Sequence, residues 1–453
     1  MSRFENDLSR GSVVKQLILF SLPVLLSNLI QSLYSTVDML VVGQFSGAAS
    51  MSGVNIGGQV SFLITNMVFG LSVGATVLIG QYKGANDRKS MQETIATLFV
   101  SLLVAAIALT IIMIGLETPL LRLIQTPPES FHEAKIYFFI SMLGTIFIFG
   151  YNALSAVMRG LGDSRNPLIF VGVACTANVV LDLLFVAKFH MGAAGAALAT
   201  VMSQALSMIL CIIYLKRNNF IFDFSLRSFR GATKKQLKLI LKIGIPTSIQ
   251  NVATSASFLF LTALVNSLGV MASAAVGAVG KLNGFAILPG VAMSTSVSAM
   301  SAQNIGAEKY ERASKTMFVG MAIATMFSAI IFAIITLFPE ACMSLFGSDP
   351  ELISCGVEYM KTFKYDYFIA PICFCFNGLF IGSGHTTFSL ANGIMSSLLF
   401  RIPASYLFGI TMGMGLFGVG LGAPIASGAA MVFGLIFYLS GKWKKKVVHS
   451  HKA

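Results

Sequence analysis

The stretch FSLPVLLSNLIQS at residues 20–32 returns as IGIPTSIQNVATS at residues 243–255, with Pro23 matched by Pro246. Two further strings follow in the same order. GQYKGANDRKS (80–90) mirrors AQNIGAEKYERAS (302–314), pairing Gln81 with Gln303 and Gly84 with Gly306. GLGDSRNPL (160–168) mirrors GSGHTTFSL (382–390), pairing Gly162 with Gly384. The offset holds at about 222 along the chain, which is the mark of an internal repeat.

Composition says what kind of repeat this is. Of 453 residues, 55% are hydrophobic and 11% charged, with 37 Phe, 42 Gly and one Trp, a balance more apolar than a soluble domain needs. Apolar runs long enough to cross a hydrocarbon core of ~30 Å begin near Val14, Ser50, Met91, His132, Asn166, Met191, Leu237, Val270, Ala313, Ser354, Phe388 and Leu416. These runs are continuous rather than alternating. Backbone groups in lipid must be satisfied within each segment, so the runs are helices and a closed barrel is excluded. The expectation is an all-α membrane protein with twelve transmembrane helices in two parallel six-helix repeats around a central cleft. Residues 1–215 form an N-lobe with helices 1–6, 216–235 a cytoplasmic linker, and 236–453 a C-lobe with helices 7–12 and a basic tail. Six spans per half bring both repeats into the membrane in the same direction, an arrangement suited to alternating access. The polar start is followed by an apolar run of about 28 residues with no small-residue cleavage site, which reads as a retained span.

The formal net charge of +13 lies mostly in short clusters between apolar runs. Arg3, Arg10 and Lys15, Lys83 to Lys89, Arg159 and Arg165, the basic linker, Lys309 to Lys315 and the KKK run at 444–446 fall on one side. That side is cytoplasmic by the positive-inside rule, and both termini lie there. No aromatic-interleaved basic patch points to nucleic acid. The expected partners are small organic substrates and the lipid bilayer, with the protein acting as a monomer in a plasma membrane, bacterial by this reading, and needing no cofactor.

Ionisable groups inside spans are expensive and need a reason. Asp38 lies deep in helix 1, in YSTVDMLVVG, and Asp182 in helix 5, in ANVVLDLLFV. Asn178 precedes Asp182 by one helical turn on the same face. Thr200 in helix 6 adds a hydroxyl. Two carboxylates, an amide and a hydroxyl are hard oxygen donors suited to Na+, or to a shared proton if the two acids crowd each other. Asn178 by itself reads equally well as an interhelical hydrogen bond. The repeat places Leu261 and Ala404 opposite Asp38 and Asp182, so only the first half carries this set. The second half carries Lys281 in helix 8, Lys361, Lys364 and Asp366 in helix 10 and Arg401 in helix 11. These read either as mutual ion pairs or as a wall that binds or gates an ionised substrate.

Three strings in order carry a family likeness: VDMLVVGQFSGAASMSGVNIG (37–57) at the end of the proline-bent first helix, GQYKGANDRKS, and VMRGLGDSRNPL (157–168) before helix 5. Together they resemble the multidrug and toxic compound extrusion (MATE) family over about residues 12–440. The resemblance implies a two-lobed, V-shaped antiporter that expels amphipathic, often cationic compounds in exchange for Na+ or H+. It also implies an N-lobe cation site at Asp38, Asn178, Asp182 and Thr200. Some members use a helix 7 glutamate in the C-lobe, and NVATSASFLF (251–260) has none. Asp366 stands where it can replace a C-lobe acid, although its lysine neighbours speak against a purely cationic substrate. Pro23 is the expected hinge, with ion binding at the two aspartates biasing the kink.

The rival readings are a lipid-linked oligosaccharide flippase, with Lys281, Lys364 and Arg401 gripping a diphosphate, and a membrane-embedded enzyme. Against the enzyme, His132, His190, His385, His449 and His451 sit in loops or near span ends, and no nucleophile or metal-ligand cluster appears. A channel lacks a filter-like motif shared by the halves. Of six cysteines, Cys342 and Cys355 share one external loop and are open to pairing, though two free thiols is the expectation.

Overall fold

The computed structural model describes residues 6–218 and 220–445; Arg3, Lys446, His449 and His451 therefore lie outside the described residues. Among the described residues the ordered elements are helices, with no strand. Among the described residues nine helices, or eleven spans if each of two bent pairs is one crossing, are long and apolar enough to span a membrane. The first, Val13–Gly84, is itself two helices joined at Gly47, whose φ of 80° and ψ of 179° are not helical. Twelve spans result.

Helix 1 covers residues 13–46 and helix 2 residues 48–84, followed by helix 3 (Arg88–Leu123). Helix 4 is the pair Pro128–Leu143 and Thr145–Gly160, bent by 50°. Helix 5 runs over Arg165–Asp182 and continues as a π turn, Leu183–Lys188; helix 6 is Gly192–Arg217. In the second half, helix 7 is Lys234–Asn266 and helix 8 joins Val270–Ala286 to Leu288–Gly306. Helix 9 is Tyr310–Leu337, and helix 10 pairs Pro350–Phe363 with Asp366–Gly382 at a bend of 51°. Helix 11 extends from Thr386 to Thr411 with two π turns, and helix 12 from Gly415 to Leu439. None of the twelve predicted starts lies more than four residues from an observed one, the widest being His132 against Pro128 and Ser354 against Pro350.

The repeat is visible in the backbone itself. Gly47 and Gly269, 222 positions apart, both hold a positive φ (80° and 115°) that ends one helix and aims the next. A side chain there would meet the Cβ penalty of the left-handed region, so glycine is the residue that allows this break. Asn86 and Glu308 (φ 57° and 63°) and Gly162 and Gly384 (φ 85° and 84°) repeat the same spacing. The two bent spans, helices 4 and 10, are also counterparts.

By contacts the described chain forms two compact units. Unit 1 holds residues 6–7 and Leu26–Ser248; unit 2 holds Leu8–Leu25 and residues 249–445. To the six-plus-six division this adds an exchange: helix 1 changes unit just after Pro23, and helix 7 just after Pro246. The chemistry of the exchanged pieces explains their allegiance. In unit 2, Leu17 and Phe20 are buried with Met300, Met317, Phe380 and Trp443. Above them, Gln303 Oε1 accepts from the Leu8 amide at 3.0 Å, and Lys309 Nζ donates to the Ser9 carbonyl at 2.8 Å. Arg312 donates to the carbonyls of Arg10 and Gly11, both at 2.8 Å. In unit 1, Tyr82 donates its hydroxyl to Gln236 Oε1 at 3.2 Å, and helices 2 and 7 approach so closely that a methyl group on Gly244 would stand 2.6 Å from the Gly70 carbonyl.

Each unit has apolar clusters of its own. In unit 1, Val41, Val42 and Val54 pack with Tyr137, Val186, Ala193 and Ala196, while Tyr151, Leu154, Phe170 and Cys211 form a second group. In unit 2, Leu264, Val265 and Val279 pack with Tyr359, Met360, Phe363 and Val419. Many large apolar side chains face outward, including Ile111, Leu123, Val180, Leu259, Leu337 and Leu439, as expected where the surrounding solvent is hydrocarbon. All six cysteines are free.

Candidate functional site

Helix 1 carries Asp38 into the interior of unit 1, four residues before Val42 enters the apolar cluster. Helix 5 brings Asn178 and Asp182 on one face, and both are fully buried, at 1% and 0% exposure. Asp38 is 7% exposed and its carboxyl lies against that of Asp182. Asn178 donates from Nδ2 to the Thr200 hydroxyl at 3.4 Å, a long contact that turns its Oδ1 the other way. The structure thus brings together all four residues singled out from the sequence.

What is left unsatisfied defines the chemistry. Asp38 Oδ1, Asn178 Oδ1 and both carboxyl oxygens of Asp182 are buried without a hydrogen-bond partner. Four orphan acceptors share one region, and each alone costs about 1–3 kcal/mol or more when charged. Buried polar groups in folded proteins are otherwise paired almost without exception. A cluster of acceptors lacking donors is a place for a cation, and the all-oxygen set suits a hard one. Helix 5 turns into its π segment at Leu183, the residue after Asp182; such insertions recur at functional sites because they re-aim side chains and free carbonyls.

Two lining residues escaped the sequence reading. Tyr34, one turn before Asp38, and Tyr137 of helix 4 both lie close enough to feel the charges of Asp38 and Asp182. The spacing of Tyr34 from Asp38 was a usable signal. Tyr137 had none, since it comes from a helix whose register against helix 1 is set by packing, with Gly57 of helix 2 leaving room for its ring.

The charged residues of unit 2 are not gathered in this way. Lys281 and Lys361 are exposed. Lys364 stands over the rings of Phe332 and Tyr365 at 5.5 and 5.7 Å. Asp366 lies against Ser427, and Arg401 stacks over Phe258 at 4.7 Å. No ion pair forms among these five, although Asp366 and Arg401 are near enough to interact electrostatically. Leu261 and Ala404, the counterparts of Asp38 and Asp182, are buried and apolar.

Comparison with known proteins follows from this duplicated geometry. Residues 23–184 and 246–407 each match the MatE family model, and the two matches start at the paired prolines, Pro23 and Pro246. The chain belongs to the MatE family. This is a family of membrane transporters and not of enzymes. Among relatives of this MatE protein, the probable multidrug resistance protein YpnP of Bacillus subtilis is 30% identical over 98% of this chain and 99% of its own length. The probable multidrug resistance protein NorM of Thermotoga maritima is 27% identical over 99% and 97%. An outward-facing multidrug resistance MATE transporter superposes with a TM-score of 0.88 over 96% of both chains at 24% identity. A MOP superfamily transporter from Pyrococcus furiosus does so with a TM-score of 0.89 over 97% and 98% at 23% identity. At those identities the likeness establishes the fold.

Proposed function

We propose that this MatE protein is a secondary antiporter that exports amphipathic organic compounds by alternating access, in exchange for Na+ or H+ taken up at Asp38, Asn178, Asp182 and Thr200. The observation that carries the reading is the set of four buried acceptor oxygens in unit 1 with no donor among them. Full-length relatives named as multidrug resistance proteins support export as the task.

In this mechanism the ion-free site holds two facing carboxylates that repel in a medium of low dielectric. A cation, or a proton on one acid, relieves that repulsion. An ion drives a conformational change only through unequal affinity for the two states, and relief of carboxylate repulsion supplies the inequality if the state without ion keeps the acids further apart. Helix 1 carries Asp38, and Pro23, about four turns earlier, donates no backbone hydrogen bond, which makes that turn the one where helix 1 can bend. Repacking around helix 1 then releases substrate outward. The protein works as a monomer in the bacterial plasma membrane, with both termini cytoplasmic where the basic loops meet anionic lipid.

Efflux of a fluorescent organic cation from proteoliposomes, under an imposed Na+ gradient and separately under a pH gradient, tests this. Acceleration by one gradient identifies the coupling ion; indifference to both removes antiport.

A further inference from the structure

Helix 11 differs from its counterpart, helix 5, in its backbone as well as in its side chains. Both end in a π turn, Leu407–Thr411 in one and Leu183–Lys188 in the other, but helix 11 has a second, Met395–Arg401. Residues 173–179, at the equivalent position of helix 5, are ordinary α-helix. The extra turn is held from both sides: Ser257 Oγ of helix 7 donates to the Ser397 carbonyl at 3.2 Å, and Ser396 Oγ donates to the Ala426 carbonyl of helix 12 at 2.9 Å. At its last residue it delivers Arg401.

Arg401 is poorly served where it lies. Its Nε and Nη1 atoms are buried without a hydrogen-bond partner, and the guanidinium leans on the ring of Phe258. Asp366 is near but forms no ion pair with it, and Asp366 Oδ1 and the hydroxyl of Tyr367 are likewise buried and unpartnered. An opposite charge so close would normally be drawn into a bidentate contact. Held apart from Asp366, the guanidinium keeps donors that an incoming acceptor can take. The guanidinium presents one positive charge and a planar fork of donors, the complement of one carboxylate. Phe258 is 46% exposed and offers an apolar face beside the guanidinium.

We propose that Arg401 is an anion-binding point of unit 2, receiving the single carboxylate of an aromatic amphiphile whose ring packs beside Phe258. The extra π turn gives Arg401 the position to do so, and Asp366 balances the guanidinium when no ligand is present. As a statement about which compounds are carried, this rests on the efflux reading above; as a statement about binding it does not.

The test is equilibrium binding of dansyl-phenylalanine and of its methyl ester to the purified full chain, followed by dansyl fluorescence. The two probes differ by one charge. The wild type is expected to bind the acid ten-fold or more tighter than the ester, as one charged hydrogen-bonded contact would give. Because Arg401→Met alone would strand Asp366, the charge-neutral pair Arg401→Met with Asp366→Asn is used, and it should bind acid and ester alike. Arg401→Lys, a point charge without the planar fork, should keep a reduced preference for the acid. Equal binding of the two probes by the wild type overturns the proposal, as does an undiminished preference in the double variant. If the double variant does not fold, an unchanged preference in Arg401→Lys overturns it instead. Failure of the antiport reading would show separately, in the gradient-driven efflux assay, and would leave these binding ratios untouched.

Discussion

The two halves of this protein share a backbone plan down to the paired breaks at Gly47 and Gly269, yet their interiors hold opposite chemistries. Unit 1 gathers two carboxylates and the amide oxygen of Asn178 without partners; unit 2, at the matching positions of helices 7 and 11, buries Leu261 and Ala404, and nearby leaves Nε and Nη1 of Arg401 unfilled. Duplication supplies two copies of a scaffold, and a scaffold held by glycine breaks and apolar packing does not dictate which polar groups it carries. A copy without the acids is free to hold something else.

The sharpest way to break this contrast is at the acids. Asp38→Asn and Asp182→Asn should each lower gradient-driven efflux by roughly 100-fold, toward background, since loss of the carboxylate removes the coupling. Their melting temperatures should stay level or rise, because an amide removes the repulsion between the two acids and adds a donor beside unpartnered oxygens. Wild-type efflux in either variant would end the coupling assignment. Next comes the reverse exchange. Leu261→Asp, made in the Arg401→Met with Asp366→Asn background so that no guanidinium stands one turn away to receive it, places a carboxylate in the apolar cluster of unit 2 and should destabilise that variant by about 2.5–3.5 kcal/mol. Thermal unfolding in detergent reads this, and an unperturbed melt would mean the two interiors are less different than described. The scaffold itself should respond symmetrically: Gly47→Ala and Gly269→Ala should each cost roughly 1–2 kcal/mol, a matched fall in melting temperature. The smallest effect is expected at Thr200→Val, which removes one hydroxyl and should weaken half-saturation by the coupling ion several-fold, about 1 kcal/mol.

Much of the fold and the unit 1 cluster was legible because lipid makes polarity conspicuous. Asp38 and Asp182 stand out in apolar runs where a carboxylate has a high cost, and the one-turn spacing of Asn178 needed no tertiary information. Pro23 and Pro246, repeated at the same offset, located the helices that change unit, although not the change itself, which depends on long-range packing. The π turns left no trace in composition, because MSSLLFR at 395–401 reads as an ordinary apolar helix. The charges of unit 2 were visible but not their grouping: Lys281 and Lys361 point outward and Arg401 leans on an aromatic ring, differences set by helix rotation and not by sequence spacing.

The exchange of helix segments bears on how the protein is made. Residues 8–25 leave the ribosome before any part of 249–445, yet those later residues supply Gln303, Lys309 and Arg312 as their partners. The segment before helix 1 therefore meets these partners only after more than half of the remaining chain has been made. Pro23, two residues before its point of departure, loosens the link between that early segment and the rest of helix 1, so contacts of some of the first residues synthesised are completed only after the second half is in place.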